Sequence, residues 1–492
     1  MGHFKVMSND GSCGTRHVID VSHNKEKLDM TMRKERDSMG EMEVPNDALW
    51  GASTQRAVLN FGVSPLVLPQ SLISALGTIK VAAAKANMEL GLLDNERGDA
   101  IVAAGNEVID GTLFKHFVVD VFQTGSGTST NMNANEVISN RALELLKKGK
   151  GERGFIHPND HVNNCQSSND VFPSSIHVAS YVAVQERLLP ALHELSSALE
   201  KKSVDFAGVL KSGRTHLQDA TPIMLGQEFG GYASQVKQAS ERIERSARGL
   251  LGLALGGTAV GTGLNTHPDF AQKAIGHIAA ITGHAFHEAE NHFVAQATQD
   301  VVVEVSGQLR ALAVSLMKVA NDIRWLSSGP RCGIGEIRLP EIQPGSSIMP
   351  AKVNPVICES VMMAAAHVIG NDTAIGVCGQ HGNFELNVML PVLAYNVLEA
   401  IELMTNTARN FATKCIVGIT ANEERCLELA EKSLATVTSL APVIGYDKAA
   451  ELAKRAMKED KTVRQVAREM QVLPEAELER LLDLAAMTKP GL

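Results

Sequence analysis

Apolar residues recur at helical spacing along most of the chain, and proline is rare inside those stretches. From Ser71 to Leu92 an alanine-rich run without proline predicts a helix. Pro173 to Phe206 keeps the same spacing, with Pro190 expected to kink it. Leu225 to Leu253 interleaves Val236, Ala239, Ile243 and Ala247 with Lys237, Glu241, Arg242 and Glu244. Ala295 to Leu326 has no proline and one glycine, Gly307. Its apolar residues (Val301, Val302, Val305, Leu309, Leu312, Leu316, Val319) spread over much of the circumference, which predicts a helix buried among others. Pro355 to Gly370 and Glu385 to Ala412 supply two more. Helices of this length imply a central bundle about 40 Å long or longer, at ~1.5 Å per residue. Beyond Gly418 the predicted helices become short and charged: Asn422–Leu434, Lys448–Glu459, Thr462–Met470 and Pro474–Ala486. The expected organisation is a mainly all-α chain with a polar, irregular tail over 1–32. An N-terminal domain over 33–167, a central bundle over 168–418 and a small helical domain over 419–492 follow it.

Composition narrows the function classes. Aromatics are only 4% of the 492 residues, which favours helices over a β-sandwich. A net charge of −9 argues against a dedicated nucleic-acid binder. The seven cysteines are scattered, with no Cys-x-x-Cys pair; an odd number in a long chain argues against a disulfide scaffold and for a reducing compartment, and no zinc-finger or iron–sulfur spacing appears. The run judged most apolar, Gly249 to Leu264, is Gly-rich and falls short of the ~18 residues a membrane span needs, so no membrane association is expected. The tail lacks the apolar core of a signal peptide, and its acidic residues speak against a transit peptide.

Chemistry concentrates in polar loops between these helices. The run Gly345-Ser346-Ser347-Ile348-Met349-Pro350-Ala351-Lys352-Val353-Asn354-Pro355 joins small hydroxyls, prolines and a lysine. Asn354 is a good N-cap and Pro355 suits the first helical position, so a helix is expected from Val356, with Glu359 one turn in. Lys352 and that helix terminus favour a nearby anion. Gly213 to Pro222 brings His216 into a second polar loop, Thr124 to Asn133 crowds hydroxyls and amides around Gly125 and Gly127, and His157-Pro158-Asn159-Asp160 precedes Ser167-Ser168-Asn169-Asp170. Four such loops resemble the lining of a site for a small, acidic, oxygen-rich molecule. Two other motifs carry less. His287 and His292 are five residues apart, so they cannot share one helix face as a zinc-protease pair would, and a solvated helix or turn is expected. Gly257 to Gly263 follows a helical stretch instead of a strand and reads as a turn.

The Gly345–Pro355 run resembles the signature loop of the fumarase/aspartase superfamily. Gly40-Glu41, Val44-Pro45, Trp50-Gly51-Ala52 and Thr54-Gln55-Arg56 resemble the opening segment of class II fumarases. The runs around Ser126, His157, Ser167, His216, Asn321-Asp322 and Phe384-Glu385-Leu386-Asn387 follow in the family's order, from about residue 33 to the end. Fumarases carry histidine in the Thr-His-Leu-Gln and His-Pro-Asn-Asp runs, where aspartases tend to carry glutamine and asparagine; here these are His216 and His157. The resemblance implies fumarate hydratase activity, the reversible anti hydration of fumarate to (S)-malate in the tricarboxylic acid cycle, without metal or organic cofactor.

By the same resemblance Ser346 is the base, His216 the acid acting directly or through a water, and Glu359 the partner that raises the imidazole's pKa. Lys352 and Asn354 bind a substrate carboxylate, with Ser126, Gly127, Thr128, Ser167, Ser168, Asn169, Thr215 and Ser347 around it. His157, Asn159 and Asp160 match a secondary anion site. Relatives often place a basic residue three positions ahead of that histidine, whereas here Gly154 stands there beside Arg153. The family further implies a homotetramer with a twenty-helix core and sites shared by three subunits, inactive as a monomer. Its location is expected to be cytoplasmic, or mitochondrial in a eukaryote. The closest rival activity is that of aspartate ammonia-lyase, on the same fold.

Overall fold

A computed structural model describes residues 31–350 and 352–491. The expected tail over 1–32 lies outside these residues except at its end, where Met32 already opens a strand. Strands β1 (Met32–Asp37) and β2 (Gly40–Pro45) form an antiparallel hairpin. Arg33 ties it down: its guanidinium donates to the carbonyls of Pro45, Ala48 and Trp50 at 2.6, 2.8 and 2.7 Å, just ahead of helix α1 (Ala52–Asn60). Helices α2 (Gln70–Glu89), α3 (Asn95–Ile109) and α4 (Thr128–Leu145) complete the N-terminal part.

The centre is built from α5 (Ser168–Ala183), α6 (Leu189–Asp205), α7 (Leu225–Ala247), α10 (Asp300–Leu326), α11 (Val356–Gly379) and α12 (Leu390–Lys414). Between α7 and α10 lie α8 (Phe270–Thr282) and the short α9 (His292–Ala297). The long helices pack α10 on α7 and α11, α12 on α11 and α6, and α6 on α7. At ~1.5 Å per residue, the 27 residues of α10 span about 40 Å, the length expected. α5 and α6 run on through a wide turn, Val184–Leu188, in which Leu189 N–H reaches the carbonyl of Val184. That widening lets Pro190 sit in the first turn of α6, where its missing N–H and ring clash matter least.

The remaining strands are short pairs. β3 (Leu210–Thr215) and β4 (Gln218–Met224) make an antiparallel hairpin where the sequence suggested only a polar loop. β5 (Gly252–Leu253) pairs with β6 (His287–Glu288), and β8 (Gly382–Asn383) with β9 (Leu386–Asn387). β7 (Ile337–Arg338) pairs with β10 (Thr420–Ala421). The fold is therefore mainly helical, as expected.

Several helices differ from their expected bounds, α10, α11 and α12 among them. α10 begins at Asp300 because α9 ends at Ala297 and the chain turns through Thr298 and Gln299. Within one chain α10 buries a single stripe, Val302, Val305, Leu309, Leu312, Leu316, Val319 and Ile323, while Val314 is 54% exposed; it is not covered on all sides. α11 passes through Gly370 and Gly376 to Gly379, nine residues beyond its expected end. α12 starts at Leu390, since β8, β9 and the following turn occupy the residues before it.

One core runs from Leu49 to Cys426 and includes the start of α13 (Glu423–Lys432). A second, smaller core over Leu440–Leu482 gathers α14 (Ala441–Ile444), α15 (Tyr446–Glu459), α16 (Val463–Glu469) and α17 (Glu475–Leu481).

Candidate active site

The signature loop folds around one hydroxyl. Gly345 N–H donates to the carbonyl of Lys352 (2.9 Å), and Asn354 Nδ2 donates to the carbonyl of Gly345 (2.5 Å), so the loop closes on itself. Ser346 Oγ sits inside, accepting the N–H groups of Ile348 (3.3 Å) and Met349 (3.0 Å). Two amides aimed at one oxygen form a small concavity suited to negative charge. Lys352 and Ser347 are exposed beside it. Asn354 is thus not the cap of α11. Pro355 holds the capping position without a side-chain bond, and the Asn354 side chain turns back to the Gly345 carbonyl.

A second set of hydroxyls converges from α4 and α5. Thr128 Oγ1 lies 2.7 Å from Ser126 Oγ and 2.6 Å from Ser168 Oγ, a chain of three hydroxyls bridging the two helix starts. Gly127 caps α4 at φ +75°, and a Cβ there would lie 2.2 Å from the Phe172 ring. Ser167 caps α5: its Oγ accepts from Asn169 N–H (3.2 Å), and its own N–H donates to Asp170 Oδ1 (2.9 Å). The other Asp170 oxygen accepts the N–H groups of Gly256 and Thr258, each at 3.0 Å, and Asn169 Nδ2 donates to the carbonyl of Ala259 (2.8 Å). The glycine run is therefore a turn clamped to the start of α5. Burial pushes the Asp170 carboxyl up, against the pull of these amides and of Lys80. Burial lowers the Lys80 amine to about 7; its Nζ donates to Asn163 Oδ1 (2.8 Å) and Gln166 Oε1 (2.9 Å).

Thr215 and His216 stand at the exposed tip of the β3–β4 hairpin. His216 and Leu217 both take positive φ (+55° and +59°), the two-residue turn that matches strand twist but seldom suits residues other than Gly, Asn or Asp. Within one chain the described residues place no hydrogen bond or ion pair between His216 and Glu359, which is exposed in the first turn of α11.

Two of the three expected secondary anion residues, His157 and Asn159, open on a cavity of about 690 Å³, and Asp160 does not line it. It is lined by His157, Asn159 and Thr128, and by Arg36, Arg56 and Arg153. His157 Nδ1 accepts the N–H groups of Asn159 and Asp160, both at 3.2 Å, and lies 3.4 Å from Asp160 Oδ2, so Asp160 is held beside the ring. Arg153 lines the cavity although Gly154 occupies the position usually basic. Glu136 faces it too, held by the N–H groups of Gly51 (2.9 Å), Ser53 (3.0 Å) and Thr54 (3.0 Å) and 3.6 Å from Arg153. The sequence carries no signal for Lys80 or Glu136, whose roles come from partners far along the chain, and Asp170 lay in a polar run without an assigned role. Arg56 lay within a quoted motif but had no assigned role. Among the described residues no group of three or more His, Cys, Asp or Glu is set to hold a metal ion, and His292 lies 3.4 Å from Glu288 alone.

Comparison with known proteins bears on this arrangement. Residues 40–370 match the family model described as Lyase, and 437–489 match that of the Fumarase C C-terminus. The class II fumarate hydratase of Halobacterium salinarum is 54% identical over 460 residues, covering 94% of this chain and 98% of that one. The class II fumarate hydratase of Thermosynechococcus vestitus is 50% identical over 455 residues, covering 92% and 97%. The crystal structure of recombinant class II fumarase from Schistosoma mansoni superposes with a TM-score of 0.91 at 40% identity, covering 94% of this chain and all of that one. With the family model, these relatives and the long-helix fold in agreement, this chain is a lyase that belongs to the class II fumarate hydratases of the fumarase/aspartase superfamily.

Proposed function

We propose that this chain catalyses the reversible anti hydration of fumarate to (S)-malate, as a step of the tricarboxylic acid cycle, with Ser346 as base and His216 as proton donor. The observation that carries this reading is the Ser346 hydroxyl accepting two loop amides beside Lys352. A serine hydroxyl is a poor base unless its oxyanion is stabilised in advance, and amides plus an ammonium supply that field.

In the dehydration of malate, Ser346 takes the C3 proton and charge builds on the adjacent carboxylate as an aci-carboxylate. Lys352 and Asn354 meet that carboxylate. Ser126, Thr128, Ser167, Ser168, Asn169, Thr215 and Ser347, with the backbone at Gly127, hold the remaining oxygens. His216, paired with Glu359, delivers a proton to the departing hydroxide from the opposite face. His157, Asn159 and Asp160 form a secondary anion site, with Arg153 supplying the positive charge. The chemistry requires no metal or organic cofactor.

The site is completed in a homotetramer, with three subunits contributing to each site, as the family resemblance implies; that His216 and Glu359 are both exposed and unpaired with each other in one chain supports a site completed between subunits. Supporting that assembly, α11 is long and apolar enough to cross a membrane, yet it leaves Met363 68% and Val377 46% exposed, a face suited to partner helices. Activity is assigned to the cytoplasm, or to the mitochondrion of a eukaryotic source.

The test is direct. Purified protein given malate should raise fumarate absorbance, and Ser346→Ala should lower kcat by about 10³-fold or more with the oligomer intact. Ammonia release from aspartate, or wild-type turnover in Ser346→Ala, refutes the reading.

A further inference from the structure

We infer that Glu336 is a positioning residue for His216, holding through Arg214 and Lys211 the hairpin that carries the proton donor. The inference rests on the assignment of His216 above. Within one chain the His216 side chain makes no hydrogen bond or ion pair among the described residues, so where it stands is set by the backbone of the turn beneath it. That turn is strained, with two successive non-glycine residues at positive φ, and such a conformation persists only where its surroundings determine it.

The surroundings are charged and buried. Arg214, two residues before His216, presents both terminal nitrogens to Glu336, Nη1 to Oε2 at 2.8 Å and Nη2 to Oε1 at 3.0 Å. Lys211, on the same strand, lies 3.5 Å from Glu336 and 3.4 Å from Glu228 of α7, and donates to the carbonyl of Ser212 at 2.8 Å. Two cations and two carboxylates balance. The strand bulges between Ser212 and Arg214, and a Cβ on Gly213 would lie 2.6 Å from the carbonyl of Thr221, so the hairpin has no slack there.

Glu336 itself is a fixed post. Its side chain is fully buried, its N–H donates to the carbonyl of Leu326 at the end of α10 (2.9 Å), and its carbonyl accepts Asn422 N–H (2.8 Å). Arg425 of α13 donates to the carbonyl of Ile334 (3.1 Å), and Ser433 donates to the carbonyl of Ala220 on β4 (3.0 Å). The chain after Gly418 thus braces the His216 hairpin from two sides, once through Glu336 and once directly.

The experiment compares Arg214→Lys, Glu336→Gln, His216→Asn and the double variant Arg214→Lys/His216→Asn, each as the assembled enzyme. Arg214→Lys keeps the charge and removes the two-pronged contact, so it decides the matter if Glu336→Gln fails to fold. The expected result is a kcat for malate dehydration lowered about 10–100-fold, with KM changed less than about threefold. The double variant should be no slower than His216→Asn alone, because both act through one imidazole. An unchanged kcat in Arg214→Lys, a rise confined to KM, or losses that multiply in the double variant overturns the inference. An unchanged kcat in His216→Asn instead refutes the donor assignment beneath it.

Discussion

Gly127 and Gly345 both stand next to hydroxyls of the site, and each is a glycine for a different reason. At Gly127 the backbone is left-handed (φ +75°), and a Cβ would enter the Phe172 ring at 2.2 Å. Phe172 belongs to the buried core, so the collision cannot be relieved locally. Gly127→Ala should therefore destabilise the fold by about 2–4 kcal/mol, read by denaturant unfolding. At Gly345 a Cβ would meet the carbonyl of Lys352 at 2.1 Å and the N–H of Asn354 at 2.9 Å. These atoms lie in an exposed loop that can open. Gly345→Ala should leave stability within about 1 kcal/mol of wild type and lower kcat by about 10²-fold, because it prises the Ser346 cradle apart. Equal behaviour of the two variants in both measurements would contradict this division.

At the scale of elements, Asp170 joins three pieces of chain: the start of α5, the Gly256–Thr258 turn and, by charge, Lys80 of α2. Asp170→Ala leaves three amides without their acceptor, two of them bonds formed in the buried interior, and should cost about 3–6 kcal/mol. Its pH dependence follows from Lys80, whose buried amine is already lowered to about 7. A lysine with a depressed folded pKa makes stability rise with pH from that value towards its unfolded pKa, since the unfolded chain holds the proton longer. Losing the Asp170 charge lowers the folded pKa further and extends the window downward. The deficit of the variant should therefore be larger at pH 6 than at pH 8, measured by urea unfolding at both; a constant deficit would exclude coupling between the two groups.

Only the Ser167–Asp170 end of this hub was legible, as part of a polar run; its bonds to Gly256 and Thr258 join positions 86 and 88 residues apart. The hydroxyl-rich runs were legible, since their residue types announce hydrogen bonding whatever the fold. α11 was read short because Gly370 looks like a stop signal, and only packing against α10 and α12 carries the helix past it. The hairpin beneath His216 was missed for the opposite reason: Thr-His-Leu-Gln has none of the glycine or asparagine that marks a tight turn, and buried charges at its base enforce the turn instead.

At the scale of the whole molecule, Ser346 lies in the loop before α11 and His216 at a hairpin tip, with no bond joining the two segments among the described residues of one chain. If they meet only across subunits, a site takes Ser346 from one copy and His216 from another. Two variants that each lose most of their activity, Ser346→Ala and His216→Asn, should then restore each other when their subunits are mixed. In a randomly assorted tetramer a site draws an intact Ser346 with a chance of one half and an intact His216 with an independent chance of one half, so about a quarter of wild-type activity should return. If both groups came from one chain, every site would carry one lesion and nothing would return. Co-expression of the two variants, or dissociation and reassembly of a mixture, gives the number, and a mixture that stays inactive while assembling normally would return both residues to a single subunit.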